Sequence, residues 1–203
     1  MNVVAITGGI ACGKGKVSTL LLEGLERAVA GSVVSYDCDF AVAELLREES
    51  VLSLLDEMSD GLVRSEDGSL DKAWLREKLF AEKEFRLKVE GLLHPLVLEK
   101  VENFLQLNSG GIDTALVEVP LLFEVAFPLD YSHTVVVGAS RETQIERLKS
   151  KRNLDERTAE LILESQLPVQ AKADRGDFVV WNDGDIPSLK AQVAVLSERI
   201  FDR

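Results

Sequence analysis

The chain has 203 residues, 46% of them hydrophobic, with 35 acidic against 23 basic side chains and a formal net charge of −12. That is enough apolar material for one packed α/β core and excludes a globally disordered chain. The acidic balance excludes a general nucleic-acid binder, which needs a basic surface. Charges break every apolar run short of the roughly 18 residues a membrane span needs. No basic leader precedes the first strand pattern, so the expected location is the cytoplasm, with no membrane partner. Cys12 and Cys38 are too few for a disulfide framework or a metal cluster and read as buried or bystander thiols.

A strand is predicted over 2–7, where a short β-branched apolar run suits a buried parallel strand. It leads into Gly8-Gly9-Ile10-Ala11-Cys12-Gly13-Lys14. This segment fits the phosphate-loop pattern G-x-x-x-x-G-K-[ST] until its last position, where Gly15 replaces the hydroxyl. The glycines let backbone N–H groups curl around phosphate oxygens, and Lys14 sets a point charge against the β/γ-phosphates. Val17, Leu20, Leu21 and Leu25 then recur at helical spacing, so the loop ends at a helix N-terminus that favours an anion. Losing the hydroxyl removes a direct Mg²⁺ ligand, for which water is the expected substitute. Ser18 and Thr19 lie too far along the helix to replace it, while Lys16 adds positive charge close by.

A second strand is predicted over 32–36, with Asp37-Cys38-Asp39 directly after it, at the carboxyl edge where ligands of open α/β sheets bind. Phosphoryl transfer to an alcohol needs a carboxylate to orient the hydroxyl and take its proton. Asp37 suits that role; Asp39 reads equally well as a cap of the next helix. Residues 40–110 carry several helical patterns, beginning near Phe40, near Leu70-Asp71, and from Glu84 to Leu107. His94-Pro95 predicts a kink or a junction between two helices in the last of these. Trp74 and Phe80, at helical spacing, read as packing residues, and Asn108-Ser109-Gly110-Gly111 closes the segment with turn residues.

Further strands are predicted over 114–119, 133–138 and 177–181, and the helical patterns between strands give the βαβ signature of a parallel sheet. Ser140 is the expected N-cap of a helix with Thr143 at its third position, and a basic end follows at Arg147, Lys149, Lys151 and Arg152. Arg147 and Lys151 are four residues apart, on one face, where they serve either as phosphate-reaching cations or as a solvated helix end. Asp155 caps a helix expected to reach about Gln166 and to stop at Pro168. Asn182-Asp183-Gly184 after the last strand also reads as a turn.

Taken in order, Thr7-Gly8-Gly9-Ile10 through Gly13-Lys14, Asp37-Cys38-Asp39, Gly68-Ser69-Leu70-Asp71, Leu75-Arg76 and Phe80 form the first half of a longer pattern. Leu93-His94-Pro95, Val119-Pro120-Leu121-Leu122-Phe123-Glu124, Ser165-Gln166-Leu167-Pro168, Lys172, Ala173-Asp174 and Asn182-Asp183-Gly184 complete it. Together they resemble the dephospho-coenzyme A kinase family over nearly the whole chain, and the Pro-Leu-Leu-Phe-Glu and His-Pro segments are far more specific than the phosphate loop.

The resemblance implies an α/β P-loop NTPase fold of nucleoside-monophosphate-kinase type, a five-stranded parallel sheet flanked by helices. Within that single domain it implies a helical coenzyme A-binding insertion over 40–110 and a lid over 147–172. The implied reaction transfers the γ-phosphoryl group of ATP, with Mg²⁺, to the ribose 3′-hydroxyl of dephospho-coenzyme A. Gly8, Gly9, Ile10, Ala11, Cys12, Gly13, Lys14, Gly15 and Lys16 would hold the ATP phosphates, and Asn182 would lie near the adenine. Asp37 would be the base and Arg147 and Lys151 the lid cations. Asp39, His94, Pro120, Leu121, Leu122 and Glu124 would shape the acceptor site. The chain is expected to be a monomer or weak homo-oligomer. It departs from the family at Gly15-Lys16, where Ser-Thr is usual, and at Ala43, where an arginine is common and Arg47 stands one turn further on. A nucleotide- or coenzyme A-binding homologue without turnover, and a P-loop kinase with another acceptor, stay open at this point.

Overall fold

Near-continuous apolar runs, buried on both faces, become the strands of one parallel sheet. The computed structural model describes residues 1–28 and 32–201. Its strands are β1 (Asn2–Gly8), β2 (Val33–Asp37), β3 (Thr114–Glu118), β4 (His133–Gly138) and β5 (Phe178–Trp181), in the order β2-β3-β1-β4-β5. All neighbours pair in parallel. Their carboxyl ends therefore share one edge. Asp37 is the last residue of β2 rather than the first after it, and it aligns with Glu118 of β3, which in turn aligns with Ile6 of β1.

The helices are α1 (Lys14–Ala28), α2 (Cys38–Leu45), α3 (Glu49–Met58), α4 (Lys72–Ala81), α5 (Lys83–Asn108), α6 (Arg141–Arg152), α7 (Glu156–Glu164), α8 (Val169–Ala173) and α9 (Ile186–Phe201). Met1–Asp37 and Phe104–Arg203 form one compact unit, and Cys38–Asn103 forms another. In the first, Leu20, Leu21 and Leu25 of α1 and Leu189, Val193 and Leu196 of α9 pack on Val4, Ile6, Leu116, Val135, Val137 and Val180 of the sheet. Each leucine fully withdrawn from water contributes about 2 kcal/mol. The short α8 packs against β1 and β4.

Three expectations need correction. Of the two alternatives at His94-Pro95, the junction between two helices is the one overturned: α5 passes through Pro95 as one helix. The ring crowds the carbonyl four residues back, which belongs to Gly91, and the buried stripe Phe85, Val89, Leu93, Val97 and Val101 holds the helix together across it. Second, the helix capped by Asp155 stops at Glu164, and Pro168 occupies the cap position of α8 instead of merely ending a helix. Third, Phe80 does not pack; it is 56% exposed. Trp74 meets Phe85 edge-on at 5.9 Å.

The second unit also holds α3, whose buried Val51, Leu52 and Leu55 supply its apolar face. Arg64 ties it to the following turn, pairing with Glu49 (2.6 Å) and Asp56 (3.3 Å) and donating to the Gly68 carbonyl. Asp71 caps α4 by accepting from the Ala73 and Trp74 amides.

Candidate active site

The loop between β1 and α1 takes a conformation that few sequences tolerate. Gly8 and Gly13 have φ of +146° and +89°, and even Ala11 is left-handed at +59°. A Cβ at Gly13 would come within 2.5 Å of Asn182 Nδ2. The loop carbonyls are held from behind. Gln144 Nε2 donates to Ile10 O (2.7 Å), Arg147 Nη1 to Ala11 O (3.2 Å) and Cys12 O (3.4 Å), and Asn182 Nδ2 to Cys12 O (2.7 Å). Arg147 Nη2 also donates to Asn182 O at 2.7 Å, joining the braces to one another. Across a trans peptide, C=O and the following N–H point in opposite directions. Anchoring the carbonyls of residues 10–12 thus turns the amides of Ala11 and Gly13 to the other side, as a phosphate-binding nest requires, while the Cys12 amide donates to Gly9 O (3.3 Å). On the entry side, Ile10 N–H donates to Gln166 Oε1 (3.1 Å).

Lys14 begins α1 and donates through Nζ to Gly8 O (3.3 Å) and Gly9 O (3.2 Å), so its charge sits over the loop at the positive end of a helix dipole. Gly15 and Lys16 are exposed in the first turn. Nothing lies within 4 Å of where a Cβ at Gly15 would stand. Thr19 donates its hydroxyl to Gly15 O and Ser18 is buried, so neither hydroxyl takes the place of the missing one. Cys12 is buried in the core, and burial pushes its thiol pKa up against the nearby Lys14 charge, as for an inert thiol. Cys38 is also buried and forms no disulfide among the described residues.

The other strand ends complete the edge. Two strand spacings put the Asp37 backbone roughly 10 Å from Ile6, two residues before the loop. After β3 the chain turns through Pro120–Ala126. Thr7 Oγ1 donates to Pro120 O, and Leu122 is buried beneath. Glu124 Oε1 accepts from Lys172 Nζ at 2.6 Å and from Leu167 N at 3.2 Å. After β4, Ser140 caps α6, accepting from Thr143 N. Asp183 links that cap to β5, accepting from Ser140 N (2.9 Å) and Trp181 Nε1 (2.7 Å). Burial works to raise the Asp183 pKa, but these hydrogen bonds outweigh it and hold the group below its ordinary value.

Most of the expected site residues therefore share one edge, with differences in detail. Arg147 and Asn182 brace the loop through its carbonyls. Lys151, on the same helix, is exposed. Asp39 lies in the first turn of α2, and His94 is half-buried on α5, both in the second unit. Ala43 and Arg47 are exposed. Sequence reasoning assigned no site role to Gln144, Gln166 or Lys172. Gln166 and Lys172 stand within the resembling segments, which was the available signal; Gln144 had none.

A parallel sheet of this order, with a glycine loop and lysine between β1 and α1 and a carboxylate at the end of β2, defines a P-loop kinase. A family model described as dephospho-CoA kinase matches residues 2–188. Dephospho-CoA kinases of Syntrophotalea carbinolica (31% identical over 201 residues, 98% of this chain and 92% of that protein) and Vibrio parahaemolyticus (33% over 199 residues, 97% and 93%) are similar throughout. A crystal structure from Thermus thermophilus superposes with a TM-score of 0.76 at 27% identity, covering 97% of each chain. A shikimate kinase from Bacteroides thetaiotaomicron shares the fold at a TM-score of 0.52 and 14% identity, covering 98% of each chain. The chain belongs to the dephospho-CoA kinase family.

Proposed function

We propose that the chain phosphorylates the ribose 3′-hydroxyl of dephospho-coenzyme A with ATP, the family's reaction, and that Asp37 is its base. The observation that carries the assignment is the position of Asp37: the last residue of β2, on the edge that bears the phosphate loop, two strands from β1. In this reading the 3′-hydroxyl oxygen attacks the γ-phosphorus, Asp37 takes the hydroxyl proton, and the bond to the β-phosphate oxygen breaks to release ADP. Lys14 and the amides of Ala11 and Gly13 hold the donor phosphates. Pro120, Leu121 and Leu122 shape the acceptor site. The α6–α7 part of 147–172 serves as the lid, bringing Lys151 to the phosphates.

The residues of the loop fit a polyphosphate, but they do not fit a directly held Mg²⁺. Gly15 offers no hydroxyl, and no group of three His, Cys, Asp or Glu side chains suits a metal among the described residues. The ion, which neutralises phosphate charge when bound, would be held by ATP and water, and no step is assigned to it.

The test is coenzyme A formation from ATP, Mg²⁺ and dephospho-coenzyme A by the native protein and by Asp37→Asn. The variant is expected to lose about 10²- to 10³-fold in kcat with ATP affinity nearly unchanged. Unchanged turnover would remove Asp37 from the role. Phosphorylation of a different alcohol in place of dephospho-coenzyme A would overturn the acceptor.

A further inference from the structure

Lys172 is the largest fully buried side chain among the described residues, at 0% exposure. A lysine seldom occupies such a site, because burying an ammonium costs several kcal/mol unless each of its protons is matched. Here they are matched. Nζ donates to Glu124 Oε1 (2.6 Å), Pro120 O (3.2 Å) and Gly8 O (3.3 Å), three acceptors for three protons. No donor is left for a phosphate, so the group is not a catalytic cation.

Its three partners come from two separate segments at the carboxyl edge. Gly8 closes β1 and opens the phosphate loop, whereas Pro120 and Glu124 bound the turn after β3. Two further contacts sharpen the picture. Gly8 O also accepts from Lys14 Nζ, and Pro120 O also accepts from Thr7 Oγ1. The carboxylate depends on this ammonium, since Glu124 Oε2 is buried with no hydrogen-bond partner.

We propose that Lys172 and Glu124 form a buried positioning strut that fixes the donor-side loop against the acceptor-side turn. This deepens the kinase reading and rests on it. When Lys14 exchanges the Gly8 and Gly9 carbonyls for phosphate oxygens, Lys172 keeps its hold on Gly8 O from inside the protein. The loop thus keeps its shape while its catalytic lysine changes partners, and the Pro120 turn keeps its distance from the transferred group. Transfer rates are sensitive to displacements of about 1 Å, so the strut is expected to act on kcat more than on KM.

Two variants test this. Lys172→Met with Glu124→Leu removes both charges at similar volume and leaves no unpaired ion. Glu124→Asp keeps both charges but withdraws the carboxylate by one methylene. Thermal melts and circular dichroism establish folding of each. Steady-state kinetics and hydrogen exchange at residues 8–13 are then compared with the native protein. The expected result is a kcat loss of about tenfold or more in either folded variant, a KM change under about threefold, and loop amides exchanging about tenfold faster while β4 amides are unchanged. A folded variant with native kcat and native loop exchange overturns the strut, as does a loss confined to melting temperature. If the native protein makes no coenzyme A, the kinase reading fails, and loop exchange alone still decides whether the strut orders the loop.

Discussion

Two glycines of the phosphate loop have opposite requirements. Gly13 has φ +89° and Asn182 Nδ2 2.5 Å from any added Cβ, so its lack of a side chain is built into the loop. Gly15 has ordinary helical surroundings and open space. A serine is therefore expected to fit at 15, to improve the helix by about 0.5 kcal/mol, and to offer the hydroxyl that the phosphate-loop pattern lacks. Gly15→Ser should lower the Mg²⁺ concentration for half-maximal rate by about threefold to tenfold, and should raise the Mg²⁺-dependent increase in ATP affinity measured by calorimetry. An unchanged Mg²⁺ requirement with normal folding would show that the hydroxyl position is not a metal site in this chain.

At the scale of elements, α6 carries two cations one turn apart, and they sit differently. Arg147 donates to Ala11, Cys12 and Asn182 carbonyls, so it belongs to the loop's scaffold. Lys151 is exposed. Arg147→Ala is expected to weaken equilibrium ATP binding about tenfold or more, because Ala11 O and Asn182 O lose their side-chain donor and Cys12 O keeps only Asn182 Nδ2. Lys151→Ala should leave that binding within about twofold and lower kcat instead, if the cation reaches the phosphates only on closure. Equal effects of both on ATP affinity would reject this division. The N-terminus of the same helix is held by Ser140 and, behind it, Asp183, so the β4–α6 and β5–α9 connections are linked at their carboxyl ends.

For the whole molecule, two partly buried aspartates that tie β5 in place contribute to acid stability. Asp177 accepts from Thr134 N and Oγ1 at the start of β5, and Asp183 accepts from Ser140 and Trp181 at its end. For both, burial raises the pKa, but the hydrogen bonds outweigh it and the net shift is downward. The folded state thus favours their ionised forms. That contribution is complete above the ordinary value of 3.8 and is lost as pH falls through the lowered folded values. Urea midpoints measured from about pH 6 to about pH 2 should therefore fall steeply only below about pH 4. Asp177→Asn with Asp183→Asn should flatten that acid limb. A limb of unchanged steepness in the double variant would place the pH dependence elsewhere.

Local pattern alone determined the strands, the loop and the caps of this protein. Parallel strands read as continuous apolar runs because both faces are buried, and Ser140, Asp155 and Asp71 cap helices because a short oxygen-bearing side chain satisfies free amides wherever a helix starts. Asp37 was likewise legible, as the carboxylate where a strand ends. The unbroken α5 was not, because a local proline rule is overridden by apolar residues that pack only once the fold exists. Nor were the roles of Arg147, Asn182 and Lys172. A basic helix end, an Asn-Asp-Gly turn and a lone lysine are ordinary surface features in a sequence. They become loop scaffold only where separate strand ends converge, since backbone carbonyls, which no sequence pattern displays, are the partners that hold them.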